Sequence, residues 1–379
     1  MAIDLNFTEQ QQLIQKTAHD FFQRYSPPAL VRRYENSDEE FPRDLWRQMA
    51  ELGWLGMSFP AAHGGLECSF LDMYVLYIEL GRHLVPCPHL ETVALAGELV
   101  AALGDEAQKA RILPAIAEGE AILACAIMEP EGLYGPAGVA MPARRDGQRY
   151  VLDGVKVLVP YGQSADWLVC AVRTGGMPSS PEGVSLFLVG AHAPGVSMER
   201  TLSMSGYPLY AVTFTEVAVE AADALGEVGG AWPTLHAVMM KAAVLQAAMV
   251  VGAGERVLEM SVAYAKERVQ FGEPIGKHQA VQYLVTEIAM QAHRTRQLAL
   301  HAAWRIDSGR TFLREASLAK ATASRAAAVM TFSAHEVHAG IAFIVDYDLQ
   351  LYTQRAKHWE SHLGDQRYHL ERVMAEIGA

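Results

Sequence analysis

The long helical repeat that follows Gly229 and Gly230 constrains the fold more than any other feature of this sequence. Apolar residues recur every three to four positions across 232–267, 279–308 and 312–339, which is the period of an α-helix with one apolar face. Helices of this length bury that face against one another, and the simplest arrangement that does so is an up-and-down bundle. We therefore predict a four-helix bundle at the C-terminal end of the chain.

The residues before Gly229 fall into two further patterns. Up to about residue 118 the apolar spacing is again helical, and it begins at Thr8, whose spacing from Gln11 fits a capping box. From about 121 to 219, short β-rich runs alternate with turn signals, which predicts a small antiparallel barrel or sandwich. The expected fold class is α+β, with a helical domain over 1–120, an antiparallel β-barrel domain over 121–228 and a four-helix bundle over 229–379.

Composition and charge limit the partners of such a chain. Its 379 residues exceed what one hydrophobic core usually supports, and 51% apolar with 20% charged residues is ordinary for a globular protein. A net charge of -12 repels phosphate backbones and anionic lipid surfaces. We therefore expect no nucleic-acid partner.

The sequence also predicts a cytoplasmic protein without a membrane span. Its four cysteines show no CxxC spacing, and its N-terminus has no basic region typical of a signal peptide. Lys241 and Gln246 interrupt the most apolar helix, so no window reaches the run of about 20 apolar residues that a span needs.

Several short segments, in order along the chain, resemble one known family. They are 7–11, which reads Phe-Thr-Glu-Gln-Gln; 52–56 with Gly64 and Gly65; Met128, Glu129 and Pro130; the strand ending at 214–219; and 268–276, which reads Arg-Val-Gln-Phe-Gly-Glu-Pro-Ile-Gly. Their order is similar to that of the acyl-CoA dehydrogenase family, as is the succession of a helical domain, a β domain and a bundle. The resemblance covers essentially the whole chain.

This resemblance implies an FAD enzyme that oxidises an acyl-CoA thioester at its α and β carbons. In that family a glutamate removes the α proton, while the β hydrogen leaves as hydride to the flavin. Here Leu363 stands at the usual position of the glutamate, and the alternative position used by some members aligns near Ala242. Both positions lack an acid. Glu360 and Asp365 are the nearest candidates for a displaced base, and we interpret them as paired or solvated surface acids.

The two ends of the expected flavin site differ. Family members usually carry Thr-Glu-Pro followed by Gly-Ser-Asp, and a Trp-Ile-Thr or Trp-Ile-Ser, and these contact the flavin ring. Here the corresponding segments begin at Met128 and Leu158, without those hydroxyl groups or the indole. The family's Arg, Gln and Phe, which hold the adenine end of the neighbouring subunit's FAD, match Arg268, Gln270 and Phe271. The Gln-x-x-Gly-Gly turn beside them reads Glu336 to Gly340 and keeps only its last glycine.

Three hypotheses for function follow. The leading hypothesis is a non-catalytic subunit of an α2β2 acyl-CoA dehydrogenase, which shares FAD with a homologous subunit whose base is intact. In it, five residues bind the cofactor: Arg268, Gln270, Phe271, Glu336 and Gly340. Acyl-CoA is the substrate, and no residues are predicted to contact it. The second is a self-sufficient homotetrameric dehydrogenase whose base is Glu360 or Asp365. The third is a flavin-free structural or regulatory partner.

Two other patterns are given structural interpretations. His358 and His362, with His369 beyond them, have a spacing that could suggest metal ligands, but without a His-Glu-x-x-His motif we interpret them as exposed histidines and predict no metal site. Gly252 and Gly254 do not follow a predicted strand, so they indicate close helix packing instead of a dinucleotide-binding loop.

Overall fold

The computed structural model describes residues 6–35 and 37–378, and its N-terminal part is helical. Helix α1 begins at the predicted capping box, in which Thr8 Oγ1 accepts a hydrogen bond from the Gln11 amide and Gln11 Oε1 accepts one from the Thr8 amide. The helices are α1 (Glu9–Tyr25), α2 (Pro28–Tyr34), α3 (Arg43–Glu51), α4 (Phe70–Arg82), α5 (Glu98–Leu103) and α6 (Glu106–Ala117). A π-helix, Leu90–Gly97, leads directly into α5.

The middle part consists of two sheets. The strands are β1 (Leu123–Ala126), β2 (Ala143–Asp146), β3 (Arg149–Pro160), β4 (Trp167–Arg173), β5 (Val184–Gly190), β6 (Val196–Thr201) and β7 (Leu209–Glu220). Their order is β1-β4-β5 in one sheet and β2-β3-β7-β6 in the other. All pairs are antiparallel except β1 with β4, which is parallel. Leu168 and Phe187 of the first sheet share a buried core with Leu152, Val212 and Phe214 of the second, so the arrangement is a sandwich and not a closed cylinder.

The C-terminal part is the predicted bundle with one short hairpin inserted. Helix α7 (Trp232–Glu267) is followed by strands β8 (Val269–Gln270) and β9 (Glu273–Pro274), and then by α8 (Gln279–Asp307), α9 (Leu313–His338), α10 (Leu349–Ser361) and α11 (Gln366–Ile377). Helix α7 packs against α8, α9 and α10, and on another side against α4 of the N-terminal part. The predicted α+β class with a C-terminal bundle is confirmed.

Two glycines set the distance between α4 and α7. A Cβ atom on Gly81 would lie 2.0 Å from the Met249 carbonyl oxygen, and one on Gly252 would lie 1.8 Å from the Ile78 carbonyl oxygen. Any side chain at either position would push the two backbones apart. Gly252 therefore serves close helix packing, as its sequence context predicts.

Helix α7 is long and apolar enough to cross a bilayer, judged by length and composition alone. However, 83% of its most apolar window is buried inside the protein. Its apolar character is accounted for by its central place in the bundle, where it contacts helices on several sides.

Candidate active site and cofactor arm

A cavity of about 380 Å³ lies where the helical, β and bundle parts meet. Leu95 of the π-helix and Met239 of α7 form part of its wall, together with Leu209 of β7 and Leu363 after α10. Its volume falls in the usual range for small-molecule sites. The mostly apolar wall suits a hydrocarbon group better than a strongly charged one.

Leu363 lies on this wall in an unusual backbone conformation. Its φ angle is 63°, in the left-handed region that branched residues rarely adopt. His369 Nε2 lies 2.9 Å from the Leu363 carbonyl oxygen, and Gly364 follows with a φ of 105°. A Cβ on Gly364 would lie 2.5 Å from His369 Nε2. The loop thus holds Leu363 against the cavity, but the leucine side chain has no atom that can accept a proton.

Neither fallback acid is among the residues that line the cavity. Glu360 accepts a hydrogen bond from Lys357 Nζ at 3.1 Å. Asp365 caps the start of α11 by accepting a hydrogen bond from the Tyr368 amide at 2.8 Å. Ala242, at the alternative base position, is buried in α7, one turn after the cavity-lining Met239.

The prediction that the three tail histidines are exposed is wrong. His358 and His369 are buried, and His358 stacks on His362 with ring centroids 4.5 Å apart. Gln246 Nε2 and His362 Nδ1 lie 2.8 Å apart. Burial, and then the charge of Lys320, lower the pKa of His362 and that of His369 to about 3. These imidazoles are neutral at physiological pH, and they were missed because their burial depends on the packing of α10 against α7 and α9 and of α11 against α9.

Sequence reasoning also missed Glu91, the only carboxylate that lines the cavity among the described residues. Glu91 lies in the π-helix and is 2% exposed, and its Oε1 atom finds no hydrogen-bond partner in the part of the chain that the structure describes. Burial raises the pKa of its carboxyl to about 8, although a hydrogen bond with its own backbone opposes the shift. The available signal was a lone acid within an apolar run.

The wall that would face a flavin ring is poor in free polar groups. Met128, Leu158 and Pro160 line the cavity there. Tyr134 also lines it, but its hydroxyl donates to the Ser361 carbonyl oxygen at 2.9 Å. The hydroxyls of Ser203 and Ser205, in the loop before β7, lie 2.7 Å apart and bond to each other.

An exposed hairpin at the end of α7 carries the first three predicted cofactor residues. Strands β8 and β9 are joined by Phe271 and Gly272, whose φ angles of 56° and 85° are those of a tight type I′ turn. Phe271 is 94% exposed at the tip. The Arg268 guanidinium makes no hydrogen bond or ion pair within the described part of the chain, and the Gln270 side chain bonds only the neighbouring Val269 carbonyl.

The remaining two predicted cofactor residues lie at the same end of the bundle. Glu336 and Gly340 are exposed around the end of α9. Tyr264, one turn before Arg268, stacks on His338 with ring centroids 4.5 Å apart. The structure therefore brings all five residues of this set to one surface, which we call the cofactor arm: Arg268, Gln270, Phe271, Glu336 and Gly340.

Comparison with known proteins agrees with this architecture. Sequence models of three consecutive domains match nearly the whole chain: acyl-CoA dehydrogenase N-terminal domain over 8–120, middle domain over 124–217 and C-terminal domain over 229–378. The chain belongs to the acyl-CoA dehydrogenase family. FAD is the cofactor of that family, as the sequence predicts.

Individual members of the acyl-CoA dehydrogenase family match the chain over almost all its length. The 3-(aryl)acrylate reductase of Clostridium sporogenes is 29% identical over 91% of this chain and 92% of its own. The structure of butyryl-CoA dehydrogenase from Megasphaera elsdenii is 26% identical, covers 100% of both chains and gives a TM-score of 0.91. A chain in the structure of the ChsE4-ChsE5 complex from Mycobacterium tuberculosis is 26% identical to this chain. The match covers 99% of each of the two and gives a TM-score of 0.90.

The residues present fit one end of FAD better than the other. The unpaired Arg268 guanidinium on the exposed hairpin suits a pyrophosphate, because its planar fork can bind two phosphate oxygens at once. The cavity wall formed by Met128, Leu158 and Pro160 offers no side-chain hydrogen bond to a flavin ring. In one chain, therefore, the cofactor arm suits the pyrophosphate end of FAD, whereas the cavity is poorly suited to the flavin ring.

Proposed function

We propose that this chain is the base-lacking subunit of a heteromeric acyl-CoA dehydrogenase of the α2β2 kind. Its cofactor arm extends to an FAD seated in a homologous partner subunit, and the partner supplies the glutamate that removes the α proton. The observation that carries the proposal is the contrast between an arm with an unpaired arginine and a cavity with Leu363 at the position of the base.

The hairpin tip supports a function outside this chain. A non-glycine residue at positive φ costs roughly 1–3 kcal/mol and persists where the surroundings or a function require it. Phe271 has such a φ, yet it is 94% exposed, and its one ring contact among the described residues is edge-on with His278. An aromatic ring held out in this way fits a contact with a second chain or with an adenine.

The chemistry divides between the subunits. FAD, when bound, supplies the redox step. Arg268 of this chain would hold the phosphates and Phe271 would cover the adenine, while the reacting acyl group would lie beside the flavin ring and the glutamate of the partner. Similarity to a two-component complex supports the heteromeric arrangement. Because one relative is a reductase, the direction of the reaction in this protein needs to be measured with both saturated and α,β-unsaturated acyl-CoA.

The decisive experiment compares the chain alone with the chain co-produced with a homologous subunit that has the glutamate. Each preparation is saturated with FAD, freed of unbound flavin and measured for flavin absorbance per chain. We expect little flavin on the isolated chain. In the complex we expect about one FAD for each partner subunit, and we expect acyl-CoA to bleach this flavin under anaerobic conditions.

Two results would contradict the proposal. One FAD per chain in the isolated protein, bleached by acyl-CoA, would establish the homotetrameric dehydrogenase. A complex that assembles but stays colourless after saturation with FAD would establish the flavin-free partner.

A further inference from the structure

Glu91 is the polar feature of the cavity that the proposed function leaves unused. It lies in the π-helix Leu90–Gly97, an element that is rare and frequently occurs at functional sites. Its side chain is buried and lines the cavity, and its Oε1 atom lacks a hydrogen-bond partner among the described residues. A buried carboxyl oxygen left in this state lowers stability unless something in the cavity meets it.

The surroundings of Glu91 keep its carboxyl protonated. No cation among the residues that interact with it opposes the effect of burial, which raises its pKa to about 8. The neighbouring Tyr77 and Cys125 are also buried and Tyr207 is half-buried, and the pKa values of all three are raised, chiefly by burial. At neutral pH, Glu91 therefore offers the cavity a neutral O–H donor and a carbonyl acceptor in an otherwise mostly apolar wall.

We propose that Glu91 is a specificity-determining residue that binds a neutral oxygen function, a hydroxyl or a carbonyl, on the tail of the acyl group. This inference rests on the acyl-CoA part of the proposed function: it concerns an acyl-CoA bound in the cavity of this chain, whether or not that molecule is the one oxidised beside the partner's glutamate. No bond is made or broken at Glu91. The favoured ligand is a mostly hydrocarbon acyl-CoA with one hydrogen-bonding oxygen away from the thioester.

A hydrocarbon tail would leave the Glu91 oxygen unpaired, whereas an oxygenated tail would complete its hydrogen bonds. Sites with buried polar groups discriminate strongly against ligands that lack the matching partner, because the unpaired group cannot recover its bond to water. An amine on the tail is a poorer match, because binding it as a cation would require Glu91 to ionise inside an apolar wall.

The test measures binding, not turnover, on the purified full-length chain in the assembly in which it purifies. The probes are ω-hydroxyacyl-CoA thioesters of increasing length, each compared with the unsubstituted acyl-CoA of the same number of heavy atoms. Dissociation constants are determined by isothermal titration for the natural chain and for Glu91→Leu and Glu91→Gln. Glu79→Gln is the control, because Glu79 is buried but bonded to Gln15 and His19 and does not line the cavity.

For the hydroxylated probe of best-fitting length we expect binding about tenfold tighter than for its counterpart, which corresponds to about 1.4 kcal/mol. Glu91→Leu should abolish or reverse this preference, Glu91→Gln should retain part of it, and Glu79→Gln should leave it unchanged. Equal affinity for both probe series at every length would overturn the inference while leaving acyl-CoA binding intact. Failure of a folded assembly to bind either series would overturn the inference and the proposed substrate class together.

Discussion

At Glu91 the folded protein retains a proton that the unfolded chain releases. The folded pKa is about 8 and the ordinary value is 4.5, so the carboxyl favours folding below about pH 4.5, and this stability is lost as the pH rises to about 8. The groups that surround Glu91 do not titrate in this window. Burial raises the pKa of Cys87 to about 12 and lowers that of His358 well below its usual value. Burial also raises the pKa values of the other phenol and thiol neighbours, which are Tyr77, Cys125, Tyr161 and Tyr207.

Glu91→Gln should therefore raise the free energy of unfolding relative to the natural chain, by an amount that grows between about pH 4.5 and 8. The gap is the free energy of keeping Glu91 protonated in the folded protein, and it should grow by about 1.4 kcal/mol for each pH unit within that window. Chemical denaturation at a series of pH values measures the gap. The exposed control Glu118→Gln should show no comparable change, and a gap for Glu91→Gln that stays constant with pH would contradict the explanation.

Arg268 is expected to contribute to flavin affinity without contributing to the fold. Because its guanidinium has no partner in the described chain, Arg268→Ala should weaken FAD binding by the complex by about 1.5–3 kcal/mol, the usual value of a hydrogen bond to a charged group. Flavin titration of the assembled complex measures the loss. Arg144→Ala, which removes an exposed arginine from β2, serves as the matched control. Equal affinity of the two variants would show that Arg268 does not touch the cofactor.

Glu360 and Asp365 should prove dispensable for proton abstraction. Glu360 pairs with Lys357 and Asp365 caps α11, and neither lines the cavity. Glu360→Gln should assemble normally, as should Asp365→Asn, since asparagine is also a good helix cap. Both should bleach flavin at the natural rate in anaerobic stopped-flow experiments. A decrease of about 10²-fold in either, as expected for the loss of a general base, would identify this chain as catalytic in its own right.

Among the elements, the α4–α7 contact is the one that a single added methyl group should disturb most. Gly252→Ala would place its Cβ 1.8 Å from the Ile78 carbonyl oxygen unless the helices move apart. Overpacking of this kind typically costs about 1–3 kcal/mol, and thermal unfolding should show it. Gly175→Ala is a suitable control, because a Cβ there meets no atom within 4 Å. Equal melting temperatures for the two variants would mean that the helices separate without cost.

At the scale of the whole molecule, the cofactor arm borders an exposed apolar segment. Phe343, Ile344 and Val345 follow Gly340, and Val345 is 79% exposed. Apolar groups clustered on a surface in this way mark protein contacts, and a partner that receives the arm would cover them.

Val345→Asp should therefore reduce the fraction of chain found in the complex, measured by light scattering after size exclusion, without changing the circular dichroism of the chain. Met177→Asp, at a similarly exposed position of the β domain, should assemble normally. Full assembly of the Val345 variant would place the partner on another face.

The sequence by itself determined the layout of this protein. The helical period after Gly229 and the β-rich runs before it are local patterns, and each reports how one segment buries its own apolar face. The spacing from Arg268 to Gly276 identifies the family for the same reason, because a short contiguous motif survives in the sequence. The absence of an acid at Leu363 could likewise be read directly.

Only the tertiary structure decided what surrounds each side chain. The burial of His358, the unpartnered oxygen of Glu91 and the placement of Arg268 and Glu336 at the same end of the bundle all depend on segments far apart in the chain. A lone glutamate or histidine looks the same in a sequence whether water or a protein wall faces it. The packing of distant segments decides whether water or protein surrounds such a side chain, and the surroundings set its charge and its chemistry.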